Sequence, residues 1–257
     1  MKPTILASFA LVAAFVTPAC VVGEDTEDAV AGEGLGLEEA PNDPLAARVC
    51  ASGPTTKGVD VSYYQGNVNW DQVKASGVDY AFIRVSDGTR FKDPKFDRNW
   101  AGTKAAGVIR GAYQFFRPAQ SVTAQADMMI AALADFQPGD LPPVIDVEAT
   151  GGVSAANIAA RIKVWTDRVE AAVGVKPIVY TGKYFWRDQV RGSTAFASSS
   201  LWIAQYTTQC PDLPTPWTDW TFWQFTDKGR VPGITGNVDT NRFNGTLADL
   251  QAFANRP

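Results

Sequence analysis

Eight short apolar segments recur along the chain after residue 57, and they limit the possible folds more than any other feature. Each is rich in β-branched and aromatic residues and is apolar almost throughout, instead of alternating between apolar and polar positions. Such continuous apolarity is typical of strands covered on both faces, as in a parallel sheet. The predicted strands span residues 58–62, 80–85, 111–116, 144–147, 177–181, 201–206, 221–225 and 237–241.

Five helical patterns lie between the first six strands. The clearest begins after Ser154, where apolar residues recur every three or four positions as far as Val173. The others start near residues 70, 96, 122 and 183, whereas 207–219 and 227–235 are rich in Pro and Gly and show no helical period. Alternating strands and helices predict an α/β fold, a (β/α) barrel in one domain. The missing helices predict that this barrel is irregular, with loops joining its last strands.

Residues 1–19 have the pattern of a secretory signal peptide. Lys2 is followed by an uncharged apolar run over 5–16, which is too short to span a bilayer, and then by small or turn-forming residues. Cys20 lies where a bacterial lipoprotein carries its lipid. Lipidation at Cys20 and ordinary cleavage after Ala19 both remain open, and both export the protein to be secreted or anchored to the bacterial envelope.

Residues 20–47 are predicted to form an acidic, disordered tether. They contain eight acidic residues and no basic or aromatic residue. The whole chain carries a net charge of −4, and its first 47 residues hold eight acids and one base, so residues 48–257 carry +3. A mildly basic domain suits an anionic polymer such as a bacterial cell wall, although an ordinary solvated surface has the same charge.

Histidine is absent from the sequence, and this excludes several kinds of active site. Ser-His-Asp and Cys-His triads and zinc sites built on imidazole cannot form. The sequence also lacks a glycine-rich phosphate loop, a Cys-x-x-Cys pair and a basic stripe for nucleic acid. We therefore expect no metal, no cofactor and no nucleic-acid partner, and we expect a monomer.

Two of the three cysteines belong to the predicted folded domain. Cys50 lies at its start and Cys210 lies in a Pro-rich loop late in the chain. Export permits a disulfide, and a bridge between these residues would attach the start of the domain to that loop. Two free, buried cysteines are the alternative.

Acidic residues occur within or at the end of three predicted strands, where packing alone would favour apolar residues. Burying an unpaired carboxylate destabilises a fold by several kcal/mol, so acids at these positions indicate a function beyond packing. The carboxyl ends of barrel strands are where active sites form. The four acids, which we therefore take as candidate catalytic residues, are Asp60, Asp146, Glu148 and Asp239.

Asp146 and Glu148 form the most informative pair. At positions i and i+2 of a strand their side chains point to the same face, with Cα atoms ~7 Å apart. Two such carboxyl groups raise each other's pKa, so one can stay protonated and act as a general acid, as in glycosidases. The alternative is a structural ion pair with Arg84, Arg110 or Arg117. For the pair together with the other two acids, we favour a catalytic function.

Aromatic residues crowd the same strand ends, and the flat faces of sugar rings stack on such side chains. Ordinary core packing is the alternative for most of them. The tyrosines are expected to face the cleft, because a buried hydroxyl group needs a hydrogen-bond partner. The candidate substrate contacts are Tyr63, Tyr113, Tyr180, Trp202 and Trp223.

Seven segments occur in an order that resembles a known family. They are GVDVSYYQGNVNW (58–70), AFIRVSDGT (81–89), GAYQFF (111–116), PPVIDVE (142–148), IVYTGKYFW (178–186), LWIAQY (201–206) and WQFTDKGRVPGITGNVDTNRF (223–243). Together they resemble glycoside hydrolase family 25, the Chalaropsis-type lysozymes or N-acetylmuramidases, over residues 57–256. The resemblance implies a modified barrel of five β/α units followed by three further strands.

The resemblance also implies a role for each acid. Glu148 matches the general acid that protonates the glycosidic oxygen beside muramic acid. Asp146 matches its partner, either the nucleophile or the group that orients the 2-acetamido group of the substrate. Asp60 and Asp239 match acids that shape the charge and hydrogen bonding around the sugar being cleaved. Tyrosines of the family's cleft match Tyr113 and Tyr180.

One position departs from the family pattern. The family commonly has Tyr-His-Phe where this chain has Tyr113-Gln114-Phe115. Glutamine keeps a hydrogen bond but does not titrate, so this departure predicts a different pH profile without loss of activity.

These observations favour an exported enzyme that hydrolyses the β-1,4 bond between N-acetylmuramic acid and N-acetylglucosamine in peptidoglycan, with retention of configuration. A chitinase-type glycosidase would need Asp at 141 and 144, where this chain has Leu141 and Val144. A non-catalytic wall-binding lipoprotein would be free to lose the acids that this chain keeps. A metal-dependent deacetylase would need histidine.

Overall fold

A closed barrel of eight strands forms the centre of the protein in its computed structural model, which describes residues 47–256. The predicted signal peptide, Cys20 and the predicted tether up to residue 46 lie outside the described residues. The barrel strands agree with the eight predicted segments to within a few residues at each end. They are β1 Thr56–Val61, β2 Tyr80–Asp87, β3 Ile109–Phe115, β4 Val144–Asp146, β5 Ile178–Gly182, β6 Leu201–Ala204, β7 Phe222–Gly229 and β8 Val238–Phe243.

Seven of these strands run parallel and one runs the other way. Strands β1 to β7 pair in parallel wherever they are neighbours, and β1 closes the barrel by pairing with β2. Strand β8 lies between β7 and β1 and is antiparallel to both. The first residues of β8 therefore lie at the same end of the barrel as the last residues of the other strands.

Each of the first five strands is followed by a helix, and the next two are not. This gives five β/α units followed by three strands, so the predicted irregular α/β barrel is confirmed. The five helices are α1 Trp70–Ala75, α2 Phe96–Ala105, α3 Val122–Ala132, α4 Ala155–Val173 and α5 Lys183–Gln189. Of the described helices, none is both long and apolar enough to cross a membrane.

A sixth helix, α6 Leu247–Ala254, was not predicted. Its signal is a capping box, in which Asp249 N donates to Thr246 Oγ1 while Thr246 N donates to Asp249 Oδ2. The apolar pattern after this cap covers only two turns, which is too short to stand out from a loop. Three two-residue strands, Ala47–Arg48, Phe91–Lys92 and Asp212–Leu213, also had no sequence signal.

The start of the described chain is attached to the loop between β6 and β7. A disulfide joins Cys50 to Cys210, and Ala47–Arg48 pairs with Asp212–Leu213. Residue 47, which was assigned to the tether, is therefore paired with the folded domain. The bridge closes a loop over a sequence separation of 160, for which chain entropy gives a nominal stabilisation of about 5 kcal/mol.

Aromatic rings fill the lower part of the barrel. Phe82 stacks on Trp202 with ring centroids 4.4 Å apart, and Tyr80 and Phe222 pack around them at 5.1–5.8 Å. All four side chains are buried. This layer closes the barrel beneath the carboxyl ends of the strands and provides a rigid floor there.

Gly58 in β1 is required by this packing. It lies beside Tyr80 in the paired strand, and a Cβ atom at position 58 would lie 2.2 Å from Cζ of the Tyr80 ring. A glycine therefore allows the ring to lie against the backbone.

We expect Gly58→Ala to lower the free energy of unfolding by about 1–3 kcal/mol, because the added methyl group displaces the Tyr80 ring in a closed core. Urea denaturation of the full chain measures this change. Gly53→Ala is the matched control, since nothing lies within 4 Å of its Cβ position, and it should change stability by no more than about 0.5 kcal/mol. Equal stability of the two variants would contradict the proposed packing.

Candidate active site

All four candidate acids lie at one end of the barrel. Asp60 is the second-last residue of β1, Asp146 ends β4, and Glu148 lies two residues beyond it. Asp239 is the second residue of the antiparallel β8 and lies directly opposite Asp60 in the paired strand. The topology of the sheet therefore brings together acids that are up to 179 residues apart in the sequence.

Asp146 is buried at the centre of this group. Its side chain is 5% exposed, and its Oδ1 atom has no hydrogen-bond partner among the described residues. Burial raises the pKa of the Asp146 carboxyl well above its usual range, and the negative charges of Glu148 and Asp60 raise it further. The positive charge of Arg84 acts in the opposite direction but does not cancel these effects. Asp146 is therefore a carboxyl group that holds a proton more tightly than an ordinary aspartic acid side chain.

The arginines that could have neutralised Asp146 bind other acids. Arg84 pairs with Asp93 at 3.0 Å and Arg110 with Asp140 at 2.7 Å. Arg117 binds Asp87 through two nitrogens, with Nη2 2.7 Å from Oδ2. Among the described residues, Asp146 forms no ion pair with any of them, so the structural alternative for Asp146 is not supported.

Glu148 is the more accessible member of the pair. Its side chain is half-buried, whereas that of Asp146 is buried. Val147, between the two acids, continues the extended backbone of β4, because Val147 N donates to Tyr180 O at 2.9 Å. The two carboxyl groups therefore keep the alternation of a strand and lie on the same face of the sheet.

Asp60 and Asp239 form a second pair of carboxyl groups, joined by a hydrogen bond between their side chains. Two carboxyl groups can share a hydrogen bond only if one of them carries a proton. Burial, followed by the charge of Asp60, raises the pKa of Asp239 to about 9. Burial also raises the pKa of Asp60, but hydrogen bonds from Asn241 and Gln224 oppose this rise. Asp239 is accordingly the protonated member at neutral pH.

Three tyrosines of the predicted set lie around the acids. Tyr113 is half-buried, and the negative charges of Asp60, Asp146 and Asp239 contribute to raising the pKa of its hydroxyl group. Tyr180 is buried and donates a hydrogen bond to Gln224 Oε1 at 2.9 Å. Tyr63 lies at the rim, in ring contact with Tyr64 and Phe91 at 4.2 and 5.1 Å.

Two tryptophans of the predicted set do not line the cleft. Trp202 is 1% exposed and belongs to the aromatic floor, below Tyr180. Trp223 neighbours Gln224, whose side chain points into the barrel, so its own side chain points outward. There Trp223 packs on Trp220 and donates to Gln205 O at 2.9 Å. The structure therefore does not bring Trp202 or Trp223 to the cleft, where both were predicted to contact the substrate.

Two amides of the site were not among the sequence predictions, and Arg84 was considered only as an ion-pair partner of the acids. Gln224 and Asn241 both donate to Asp60, at 3.0 and 2.7 Å. Arg84 lies behind the rim, with its guanidinium carbon 5.2 Å from the centre of the Tyr63 ring. Their only sequence signal is that they are polar residues inside apolar strands.

Comparison with known proteins identifies the family of this chain. The model of glycosyl hydrolases family 25 matches residues 59–234. The chain belongs to this family. It is therefore a glycoside hydrolase, and the resemblance seen in the sequence is confirmed.

Named relatives and a solved structure agree with this family 25 assignment. Lysozyme M1 from Streptomyces globisporus is 35% identical over 230 residues, which cover 86% of this chain and 78% of that protein. N,O-diacetylmuramidase from Chalaropsis sp is 32% identical over 215 residues, covering 78% and 99%. The crystal structure of the bacterial lysozyme from Streptomyces coelicolor has a TM-score of 0.73 and 35% identity, covering 79% of this chain and 99% of that one.

The position at which this family 25 chain departs from the family pattern lies outside the cleft. Gln114 is fully buried between the sheet and α4, on the opposite face of β3 from Tyr113. Its Oε1 accepts a hydrogen bond from Trp165 Nε1 and its Nε2 donates to Ser86 Oγ, both at 2.7 Å. The structure therefore gives no physical reason for the altered pH profile that we expected from this departure.

We expect Gln114→Met to lower the free energy of unfolding by about 1–3 kcal/mol, because it leaves the Trp165 N–H group buried without an acceptor. Urea denaturation measures this loss, and the pH dependence of glycan hydrolysis should not change. Gln251→Met, at an exposed position of α6, is the matched control and should leave both properties unchanged. A shifted pH profile in Gln114→Met alone would place Gln114 in the catalytic machinery.

Proposed function

We propose that this protein is an exported lysozyme that hydrolyses the β-1,4 bond between N-acetylmuramic acid and N-acetylglucosamine in peptidoglycan, with retention of configuration. The observation that carries the proposal is the pair Asp146 and Glu148, two carboxyl groups at the mouth of a family 25 barrel. Asp146 has no arginine partner among the described residues and has a raised pKa. Paired carboxyl groups of this kind are what glycoside hydrolysis requires.

Glu148 is the group that we assign as general acid. It is half-buried and so can reach a bound glycosidic oxygen, whereas Asp146 lies deeper. Strongly interacting carboxyl groups lose their protons as a pair, so the proton held by Asp146 and Glu148 belongs to both. Donation of that proton from Glu148 to the leaving oxygen breaks the glycosidic bond.

Asp146 is assigned as the group that orients the 2-acetamido group of the substrate. A nucleophile must approach the anomeric carbon, but Asp146 is 5% exposed and lies deeper in the site than Glu148. Asp146 holds the acetamido group in place. In the first step, the carbonyl oxygen of the acetamido group attacks the anomeric carbon. Water, deprotonated by Glu148, then attacks from the original side. Two inversions give net retention.

The remaining residues of the mouth shape the site around the cleaved sugar. An ionised Asp60 and a protonated Asp239 together supply one negative charge and one hydrogen-bond donor. Burial keeps Tyr113 and Tyr180 protonated, because it raises the pKa of each well above its usual range. Both hydroxyl groups therefore remain donors across the working pH range.

Export is proposed from two independent features. The N-terminal sequence has the pattern of a signal peptide, and the folded domain carries a disulfide of the kind that forms in oxidising compartments. The peptidoglycan substrate lies outside the cytoplasm. We propose that the mature protein acts as a monomer, secreted freely or tethered to the envelope through a lipid on Cys20.

We expect Glu148→Gln to reduce turnover on purified peptidoglycan by at least about 100-fold, because glutamine cannot donate the proton that the leaving oxygen needs. Mass spectrometry of the released fragments measures this effect, and the wild type should release disaccharide-peptides with reducing muramic acid ends. Glu170→Gln, at the end of α4, is the matched control and should match the wild type.

Other products would separate the alternatives. Reducing N-acetylglucosamine ends would contradict the proposed bond but keep the hydrolase. Binding to peptidoglycan without release of fragments by the wild type would favour a wall-binding protein. Activity of Glu148→Gln near that of the wild type would reject Glu148 as the acid.

We expect Asp146→Asn to lower turnover by at least about 100-fold and the wild type to require an N-acetyl group on muramic acid, because that group supplies the attacking oxygen. The test compares cleavage of N-acetylated glycan with glycan carrying a free amine at muramic acid. NMR of the first product formed should show the β anomer. Cleavage of both glycans at similar rates, or a glycosyl group trapped on Asp146, would support a nucleophilic role instead.

A further inference from the structure

Two side-chain amides converge on a single oxygen atom of Asp60. Gln224 in β7 donates from Nε2 to Asp60 Oδ2 at 3.0 Å, and Asn241 in β8 donates from Nδ2 to the same atom at 2.7 Å. Gln224 is 3% exposed and Asn241 is fully buried, so water does not compete for these contacts. Hydrogen bonds to a carboxylate oxygen stabilise its charged form.

The orientation of the Asn241 amide is set by the aromatic floor. The indole nitrogen of Trp202 donates to Asn241 Oδ1 at 2.9 Å, and an indole N–H group can only donate. The oxygen of this amide must therefore face Trp202, which leaves the NH₂ group facing Asp60.

Two tyrosine hydroxyl groups lie on the oxygen side of the Gln224 amide. The hydroxyl groups of Tyr180 and Tyr206 lie 2.9 and 3.2 Å from Gln224 Oε1 and donate to it. Burial raises the pKa of both tyrosines, so they do not lose these protons. With its oxygen occupied by two donors, Gln224 presents its NH₂ group to Asp60.

We propose that Gln224 is a positioning residue of this active site, which together with Asn241 holds Asp60 as the ionised member of its carboxyl pair and so leaves the shared proton on Asp239. The catalytic role of the pair rests on the proposed function. The ionisation of Asp60 does not depend on that function, because two amide donors on one carboxylate favour its charged form with any substrate.

The charge held in this way has a consequence for the reaction. An anionic Asp60 stabilises the positive charge that develops on the sugar and its acetamido group, and a neutral Asp239 avoids a second negative charge beside it. Other ionisable groups act on the same pair from the surrounding strands and loops. They are Tyr80 in β2, Tyr113 in β3, Asp146 and Glu148 at β4, Tyr180 in β5, Tyr206 after β6 and Asp227 in β7.

The direct test is NMR of the full chain labelled with ¹³C at the aspartate side-chain carboxyl groups, titrated with pH in the absence of substrate. Asp60→Asn and Asp239→Asn assign the two resonances. We expect Asp239 to remain protonated at neutral pH and to titrate near pH 9, while Asp60 is already ionised. The reverse assignment in the wild type would overturn the proposal without any Gln224 variant.

The Gln224→Met variant tests the role of the amide. Removal of one donor destabilises the anion, so the titration of Asp60 should move to higher pH by about one unit. Gln114→Met is the matched control, because it makes the same substitution at another buried glutamine that does not contact Asp60. An unmoved Asp60 titration in folded Gln224→Met would overturn the proposal.

Hydrolysis of peptidoglycan gives a second readout. The acid limb of kcat/KM should move to higher pH in Gln224→Met, because less Asp60 is ionised at each acidic pH. A merely structural role would lower kcat/KM equally at every pH. The failure of the proposed function is seen separately, as absence of fragment release by the wild type, and leaves the NMR test intact.

Discussion

The placement of four carboxyl groups at one end of a barrel, with Asp60 and Asp146 buried, is the constraint on which the rest of the site depends. Each carboxyl group removed from water must be neutralised, share a proton or accept hydrogen bonds. The protein uses the last two means. Asp239 shares a proton with Asp60, while Asp146 is held next to Glu148 with its pKa raised. The nearby arginines are bound to other acids, and so they do not cancel the raised proton affinity of Asp146.

The aromatic floor links this chemistry to the stability of the fold. Trp202 stacks on Phe82 in the core and also donates to Asn241, which in turn contacts Asp60. The ring therefore packs the barrel and orients a group of the site through the same side chain. A change in the floor would consequently alter both the stability of the barrel and the position of Asp60.

The sequence allowed prediction of the acids but not of the amides that hold them. Asp60 and Asp146 stood out because a buried charge in an apolar strand is costly, whereas a buried neutral amide costs less and makes Gln224 and Asn241 stand out less. The sequence also did not tell which face of a strand points inward, since both faces of these strands are covered. This is why Trp223 was predicted to lie in the cleft although it points outward. The effect on pH predicted for Gln114 came from its departure from the family pattern, and its position on the outer face does not support that effect.

The last third of the chain shows how a barrel can close with fewer helices. Parallel strands β6 and β7 need a long crossover, which is usually a helix. Here residues 205–221 cross as a loop, fixed by the Cys50–Cys210 disulfide and by the indole of Trp220, which donates to Val49 O at 2.8 Å. Strand β8 then returns antiparallel and needs no crossover. Because of this reversal its first residues reach the mouth, and Asp239 lies beside Asp60 in the paired strand. The irregular end of the barrel is thus what completes the group of acids.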